Sequence, residues 1–331
     1  MRWRYNLLIS LVLFLTLFTG CGIKKEGEQI NERTKIIKLG YLPITHSLPL
    51  IVADNLKAGK FEGFKLELVR FSSWPELTEA LNSGQIQGAI TMLELALVGY
   101  ERGVPLKILS LSHRNGDVLV AAKEISSVSQ LKGKRVAIPH RLSGHNILLY
   151  RALTQAGLDY NAVEKVEMAP PEMPAALARK EIAAYIVAEP FGARSVTSGT
   201  GQVLLRAQDI WSNWICCGLV MNSKFVEANP ETVKQIVAAL VEAGNFVEKN
   251  KDQAIEIAQK YLAIERPLWE KSLSWISYSN LTPSKEELEA LQNALIELPW
   301  EGKKGSLLAH PVNLDTLVDT SFITQAYRGV K

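Results

Sequence analysis

Cysteine is scarce in this sequence, and its placement excludes an ordinary disulfide framework. The 331 residues include 3 cysteines: Cys21 near the N-terminus, and the neighbours Cys216 and Cys217. Adjacent cysteines can bond to each other only through a strained small ring, which departs from usual disulfide geometry. We therefore expect Cys216 and Cys217 to be two buried free thiols in a strand, with stability supplied mostly by the apolar core.

Charged residues are also few, at 21% of the chain, and the formal net charge is +3. Two of the positive charges, Arg2 and Arg4, fall in a leading segment that we expect to be removed, which leaves +1. A nearly neutral protein gives no electrostatic reason to bind nucleic acid. The hydrophobic content of 47% is instead typical of a compact α/β protein, and the length allows two domains.

The apolar run from Leu7 to Phe18 falls short of the roughly 20 residues that a membrane-spanning helix needs. It follows the basic start MRWRYN, so residues 1–20 are predicted to be a signal peptide. The letters FTGC that end this stretch resemble a bacterial lipobox, in which Cys21 would be lipidated and 21–35 would be a tether. We therefore expect an extracytoplasmic protein, anchored by lipid to the cell membrane. An ordinary signal peptide followed by an incidental cysteine is the alternative.

Familiar catalytic and metal-binding sequences are missing as well. The chain has no G-x-S-x-G, H-E-x-x-H or Walker sequence. His140 and His145 lie close together but have no cysteine or acidic partner at metal-ligand spacing, so the spacing predicts no zinc or other metal site. We therefore expect a binding protein rather than an enzyme, with no cofactor.

What the sequence does contain is a repeated alternation of strands and helices. The first unit, IIKLGYLPITHSLPLIVADNL at 36–56, is typical of a buried strand, a polar break and an apolar helix. Similar units follow, and the spacing of a Glu three residues after Ser73 and after Thr91 predicts a capping box at two helix starts. From Asn229 onward the pattern is mainly helical, with a start signal at Asn229 and the proline that follows it.

Two runs of this alternation favour two lobes. A polar link at 113–117 leads out of the first run, and an apolar strand at 215–221 leads back. We therefore predict a bilobal α/β fold of two parallel-type sheets with flanking helices and a hinge. Residues 36–117 and 214–331 would form lobe 1, and 118–213 would form lobe 2. The cleft between the lobes is the expected ligand site, and hinge closure is the expected motion.

Four stretches carry a resemblance to a known family: GYLPITHSLPLIVA, SSWPELTEALNSGQIQGAIT, LKGKRVAIP and AYIVAEPFGARS. In this order they resemble the solute-binding proteins of nitrate/sulfonate/taurine-type ABC importers (SsuA/TauA) and the related NMT1/THI5-like group, which binds pyrimidine precursors of thiamine. The resemblance implies a type II periplasmic-binding-protein fold that delivers a small molecule to a permease and an ATPase. We expect a monomer. The group's pyrimidine-forming enzymes have a longer cysteine cluster, which the letters CCG at 216–218 do not reproduce.

The resemblance also implies that the ligand lies in the loops where strands give way to helices. The candidate ligand-binding residues are Thr45, His46, Ser47, Ser73, Trp74, Thr91, Met92, Arg141, Ser143, Gly144, His145, Glu189, Phe191 and Trp214. His113 and Arg114 lie at the predicted link between the lobes, where we expect them to pack at the hinge.

Two ligand classes fit these residues. Ser143 opens a helix whose free N–H groups attract anions, and Arg141 just before it would add a charged contact to a sulfonate or carboxylate. Trp74, Phe191 and Glu189 would instead suit a planar heterocycle such as a thiamine pyrimidine precursor. The plainer alternatives are helix capping by Ser143 or Glu189 and a core position for Trp74.

Overall fold

The structure is a computed structural model, and it describes residues 35–300, 305 and 307–329. The predictions of a signal peptide at 1–20, of lipidation at Cys21 and of a tether up to Thr34 lie outside the described residues. Over the described residues the strands are β1 (Lys35–Tyr41), β2 (Phe64–Arg70), β3 (Gly88–Met92), β4 (Leu106–Leu111), β5 (Arg114–Asn115), β6 (Asp117–Ala122), β7 (Arg135–Ile138), β8 (Glu164–Glu167), β9 (Ala184–Ala188), β10 (Gly201–Arg206), β11 (Cys217–Asn222) and β12 (Ile276–Ser277). The α-helices over the same residues are α1 (Leu48–Leu56), α2 (Trp74–Asn82), α3 (Leu93–Glu101), α4 (Gly144–Gln155), α5 (Met173–Ala178), α6 (Phe191–Thr197), α7 (Ala207–Ile210), α8 (Ser223–Ala228), α9 (Pro230–Lys249), α10 (Lys251–Tyr261), α11 (Arg266–Leu273), α12 (Lys285–Glu297), α13 (Leu314–Leu317) and α14 (Ser321–Gly329).

The first sheet has the strand order β2-β1-β3-β11-β4. β1 runs parallel to β2 and β3, with Ile37 opposite Leu66 and Leu39 opposite Gly88. β11 runs antiparallel to both of its neighbours, β3 and β4. The chain returns to this sheet at β11 after passing through all the strands of a second sheet, as the apolar segment at 215–221 predicted.

The second sheet has the strand order β10-β6-β9-β7-β8. β7 runs parallel to β8 and β9, whereas β6 runs antiparallel to β9 and β10. The short strands β5 and β12 pair with each other in a small separate sheet. Leu119, Val136 and Ile186 have no exposed surface, so this sheet also carries apolar core residues.

The α/β class is confirmed, but the prediction of two parallel-type sheets is only partly right, because both sheets are mixed. A helical crossover returns the chain in a parallel direction, and α1 and α2 connect β1, β2 and β3 in this way. β6 and β11 are each entered by a chain that arrives from the other sheet, so no crossover within one sheet fixes their direction. The chain from Lys35 onward groups into one compact unit by its contacts, and the lobe boundaries stay a prediction.

The two predicted capping boxes have different outcomes. The Ser73 hydroxyl accepts a hydrogen bond from the backbone N–H of Glu76 (3.4 Å) and caps α2, but the Glu76 carboxylate accepts from Ser72, so only the cap of this box is confirmed. The box predicted at Thr91 is wrong, because Thr91 is still paired with Gly218 in the sheet and cannot serve as a helix cap. The Glu94 carboxyl group, which therefore takes no part in a capping box, is completely buried.

The helical second part of the chain begins as predicted. α9 starts at Pro230 and packs against α1 and α14, with Val233, Ile236, Val237 and Leu240 on its buried face.

β10, which the sequence pattern missed, is half-buried at one edge of the second sheet. Among the helices of the described ranges, none is both long enough and apolar enough to cross a membrane.

Candidate functional site

Polar side chains collect where strands of both sheets end. They follow β1, β3, β4 and β7, or stand at or just before the starts of β6 and β11. Because the strands are neighbours in their sheets, these positions meet although they are far apart in the chain. Eight of these residues, each at most 1% exposed, form what we call the buried polar cluster: His46, Glu94, His113, Asp117, His145, Trp214, Cys216 and Cys217.

Asp117 connects three other members of the cluster. Its Oδ1 accepts a hydrogen bond from Nε2 of His145 (2.8 Å) and lies 3.4 Å from Nε2 of His46. Its Oδ2 accepts a hydrogen bond from the indole N–H of Trp214 (2.6 Å). Burial alone would raise the pKa of Asp117, but His145 and His46 lower it below its ordinary value. Asp117 is therefore a buried carboxylate with a partner on each oxygen.

The adjacent cysteines are buried and free, as predicted. The Cys217 Sγ lies 3.5 Å from the Cys216 Sγ and 3.5 Å from Nδ1 of His46. Burial raises the pKa of Cys217, but the neighbouring side chains of Cys216, His113 and His46 outweigh it and bring the pKa well below its ordinary value. Burial raises the pKa of Cys216, which remains a thiol. The lowered pKa favours the thiolate form of Cys217, which is the form that attacks electrophiles and binds metals.

Two imidazole rings stack beside these sulfur atoms. The ring centroids of His46 and His113 are 3.6 Å apart, with an angle of 31° between the planes. His46 Nε2 donates a hydrogen bond to the Gly116 carbonyl (3.3 Å), and His113 Nε2 accepts one from the backbone N–H of Cys217 (3.3 Å). Burial lowers the pKa of His113, and the neighbouring His46 lowers it further. Burial also acts to lower the pKa of His46, but Asp117 and Cys217 raise it above its ordinary value.

The Glu94 carboxyl group meets the start of α4. A Cβ at Gly144 would lie 2.1 Å from the Glu94 Oε1 and 2.6 Å from the Trp214 ring, so only glycine fits between them. Neither oxygen of Glu94 makes a hydrogen bond of ordinary geometry, although the Gly144 backbone N–H is close. Burial raises the pKa of Glu94 well above its ordinary value, so Glu94 is a neutral acid inside the protein.

Glu189, at the end of β9, lies beside the cluster and joins residues of both sheets. Its backbone carbonyl accepts hydrogen bonds from the Thr45 N–H (2.9 Å) and the Thr45 hydroxyl (3.1 Å). Its Oε2 accepts hydrogen bonds from the backbone N–H of Ala193 and the hydroxyl of Ser272, both at 2.9 Å. The first of these is the helix-capping contact that the sequence suggested. Burial raises the pKa of Glu189 to about 7 despite both bonds.

Several buried polar atoms at these strand ends have no hydrogen-bond partner among the described groups. They are Ser47 Oγ, Thr91 Oγ1, both carboxyl oxygens of Glu94, His145 Nδ1 and Glu189 Oε1. Buried polar groups in folded proteins are nearly always paired, with protein or with water. These atoms are therefore positions at which water or a bound polar molecule would make hydrogen bonds.

The structure brings part of the predicted site together. His46, His145 and Trp214 belong to the cluster, and Gly144 touches two of its members. Four further predicted residues are buried at the same strand ends: Thr45, Ser47, Thr91 and Glu189. Their role in binding a ligand stays a prediction.

Other predicted residues have different surroundings. Arg141 is exposed to solvent, and it is its backbone N–H that contacts Glu167 (2.9 Å). The Ser143 hydroxyl accepts a hydrogen bond from the Asn146 N–H (3.3 Å), which is ordinary capping of α4, and Ser73 caps α2 in the same manner. Three predicted residues are buried among the apolar core residues: Trp74, Met92 and Phe191.

Sequence reasoning missed five members of the cluster as site residues: Glu94, His113, Asp117, Cys216 and Cys217. The search for a metal site compared residues close in sequence, whereas the fold assembles ligand atoms from distant segments. The available signal was that each of these polar residues stands at the first position of an apolar strand or within two residues of either end. The guanidinium of Arg114, a residue expected to pack at the hinge, pairs with the Glu287 carboxylate (2.6 Å), and the hinge itself stays a prediction.

Solved binding proteins share the fold of this chain, among them the alkanesulfonate-binding protein SsuA from Xanthomonas axonopodis pv. citri (20% identical, TM-score 0.74, covering 86% of this chain and 98% of that one) and the periplasmic nitrate-binding protein NrtA from Synechocystis PCC 6803 (17% identical, TM-score 0.79, covering 90% of both chains). The chain belongs to the NMT1-like family, whose sequence model matches residues 31–262. The family and the binding-protein fold expected from the four sequence stretches are thereby confirmed.

The similar proteins include components of import systems and a sulfonate-binding protein. The ligand-binding component of an ABC-type import system from Staphylococcus aureus, solved with zinc bound, is 32% identical with a TM-score of 0.80, covering 88% of this chain and 99% of that one. A putative aliphatic sulfonates-binding protein of Escherichia coli (strain K12) is 24% identical over 271 residues, covering 81% of this chain and 84% of that protein. The nitrate import ATP-binding protein NrtC of Synechococcus elongatus is 28% identical over 247 residues; the match covers 68% of this chain and only 38% of that longer protein.

Proposed function

We propose that this chain is the extracytoplasmic substrate-binding component of an ABC importer. It captures a small solute at the buried polar cluster and delivers it to a membrane permease and its ATPase. The unpaired buried atoms at the strand ends carry this proposal, because a polar guest is what would satisfy them. The import systems named among the relatives support the transport role. Cleavage after residue 20 and lipidation of Cys21 would hold the protein at the outer face of the membrane.

Capture requires the protein to open, because every residue of the cluster is buried. With lobe 1 at 36–117 and 214–331 and lobe 2 at 118–213, opening would break the hydrogen bonds of Thr45 and Ser272 to Glu189. A solute that bonds to both lobes would replace these contacts and favour the closed form, which would then dock on the permease.

A small organic anion, such as an alkanesulfonate, is the first candidate for the solute. The neutral Glu94 carboxyl group can donate a hydrogen bond, and the Gly144 backbone N–H at the start of α4 lies close to it. The sulfonate- and nitrate-related names of two relatives agree with an oxyanion. The exposed Arg141 does not support this class, so the contacts would be neutral hydrogen bonds rather than an ion pair.

A planar heterocycle is the second candidate, and one observation favours it. The Glu189 Oε1 is buried and has no partner among the described groups, so it can accept a hydrogen bond from a ring N–H when Glu189 is ionised and donate one to a ring nitrogen when Glu189 is protonated. Trp74 and Phe191, which the sequence suggested as stacking surfaces, are core residues and contribute less to this argument. An enzyme of the pyrimidine-forming type has no support beyond the thiolate character of Cys217.

Native mass spectrometry of the gently purified full chain tests the proposal, followed by calorimetry with alkanesulfonates, nitrate and pyrimidines. We expect a co-purified or titrated small molecule at one per chain. Thr91→Val keeps the side-chain volume but removes an unpaired hydroxyl, and it should weaken binding about tenfold without loss of stability. Thr154→Val, at an exposed helical site, is the control. A chain that binds none of these molecules would overturn the proposal, and unchanged affinity of Thr91→Val would exclude this strand end from the site.

A further inference from the structure

We propose that His46, His113, Cys216 and Cys217 bind a thiophilic divalent cation such as Zn²⁺. The cation would form one wall of the solute site, on the side of the first sheet. This inference goes beyond the proposed function, because a metal site here does not depend on which organic solute is captured.

The four residues present a compact set of donor atoms. One ligand atom from each lies within 4.8 Å of the others, and all four residues are completely buried. Zinc prefers four nitrogen and sulfur ligands in tetrahedral geometry, with Zn–S near 2.3 Å and Zn–N near 2.0–2.1 Å. Those bond lengths place ligand atoms roughly 3.3–3.8 Å apart. The distances of 3.5 Å from the Cys217 Sγ to the Cys216 Sγ and to the His46 Nδ1 match this spacing.

The hydrogen bonds of the imidazoles leave the correct nitrogen of each ring facing the sulfur atoms. His46 contacts the Gly116 carbonyl through Nε2, so its Nδ1 faces Cys217. His113 donates from Nδ1 to the Asn115 carbonyl (2.8 Å), so its Nε2 carries the lone pair; this lone pair accepts the Cys217 backbone N–H (3.3 Å), a bond that the metal would replace. Metal-binding histidines are usually oriented in this way, by donating the other ring N–H to a carbonyl or carboxylate. Any proton on the His46 Nδ1 or the thiols would leave to solvent when the metal binds.

The backbone explains how adjacent cysteines can serve one ion. Side chains alternate across a strand, so two neighbours within a strand point to opposite faces. β11 begins at Cys217 and Cys216 precedes it, so the alternation does not apply to this pair and both sulfur atoms face the imidazoles. Every ligand stands at an end of β1, β4 or β11, which share the first sheet, so the site can form without the second sheet.

Asp117, the first residue of β6, lies next to the proposed metal ligands. Its carboxylate lies 3.4 Å from the His46 Nε2, and together with His145 and Cys216 it forms a second group of potential ligand atoms within 4.8 Å. A carboxylate behind a metal-binding histidine raises the basicity of the imidazole and fixes its orientation. A thiolate and imidazole donor set selects zinc-like cations over magnesium or calcium, which prefer oxygen ligands.

The test uses the full chain with Cys21→Ser, so that only the cluster supplies thiols, reduced and stripped of metal before titration with Zn²⁺ or Co²⁺. We expect one ion per chain by native mass spectrometry, tetrahedral thiolate–cobalt absorption, and an X-ray absorption spectrum with about two sulfur and two nitrogen neighbours. Replacing both cysteines of the cluster by serine should remove the sulfur neighbours and weaken affinity by about 100-fold or more. His310→Gln, an exposed histidine outside the cluster, should change nothing.

Circular dichroism of the metal-free double variant checks that it folds, and if it does not, the absorption spectrum of the parent decides. Three results would overturn the metal site: no stoichiometric binding, a coordination shell without sulfur, or full affinity in the folded double variant. A chain that binds an organic solute but no metal would overturn this inference and leave the proposed function standing. A chain that binds metal but no solute would overturn the proposed function and leave the metal site standing.

Discussion

Glu189→Gln should remove a pH dependence of stability that the fold creates. The pKa of Glu189 is raised by burial to about 7, from an ordinary value of 4.5. Between these values the folded state holds a proton that the unfolded state has released, so the unfolding free energy falls as the pH rises. The stabilisation is fully present below pH 4.5 and is lost as the pH passes through about 7.

The size of the effect follows from the two pKa values. They differ by about 2.5, and each pKa unit corresponds to about 1.4 kcal/mol, so the change between pH 4.5 and pH 8 is about 3 kcal/mol. Glutamine imitates the neutral acid: its amide oxygen can still accept from Ala193 and Ser272, the two groups that bond to Oε2 of Glu189. We therefore expect the variant to equal the parent near pH 4.5 and to be about 3 kcal/mol more stable at pH 8.

Urea unfolding of metal-free protein at several pH values, followed by tryptophan fluorescence and circular dichroism, measures this difference. Glu172→Gln, the same substitution at an exposed position, is the matched control. If the difference between Glu189→Gln and the parent does not vary with pH, the buried carboxyl group is not protonated in the folded protein and the reasoning is wrong.

Three further predictions concern Trp214 of the cluster and two other residues, Gly144 and Arg141. Trp214→Phe leaves one buried oxygen of Asp117 without its donor, which should cost about 1–3 kcal/mol in urea unfolding. Gly144→Ala places a Cβ 2.1 Å from the Glu94 Oε1, and we expect a loss of about 1–3 kcal/mol together with weaker solute binding by calorimetry. Arg141→Ala removes an exposed side chain, so solute affinity and stability should both stay within about 0.5 kcal/mol of the parent.

Each of these changes has a control or a contrary result. Trp211→Phe alters a half-buried tryptophan outside the cluster and should cost less than Trp214→Phe. Gly329→Ala, where a Cβ meets nothing within 4 Å, should be neutral. Equal costs within either pair would show that the contacts described for the cluster are not what stabilises it. A large loss of solute affinity in Arg141→Ala would restore the ion-pair hypothesis for an organic anion.

Local sequence patterns were sufficient to predict most of the helices and strands. Ser73 caps α2 and Pro230 opens α9 because capping and proline geometry act over a few neighbouring residues. The failure at Thr91 has a tertiary cause, since pairing with Gly218 of β11 holds Thr91 in the strand. Local sequence patterns could not predict the direction of β6 and β11 either, because that direction depends on where the chain enters each sheet.

The sequence by itself determined the α/β class, the family, the free thiols and the loops in which a site would lie, because hydrophobic periodicity and turn residues are local properties. Only the tertiary structure decided that His46, His113, Asp117 and the two cysteines meet. Periodicity tells which face of a strand is buried, but not which strands become neighbours, and the order β2-β1-β3-β11-β4 joins segments that are far apart in the chain. Burial then set the protonation of Glu94 and Glu189, because the cost of a charge depends on the surroundings that the whole fold creates.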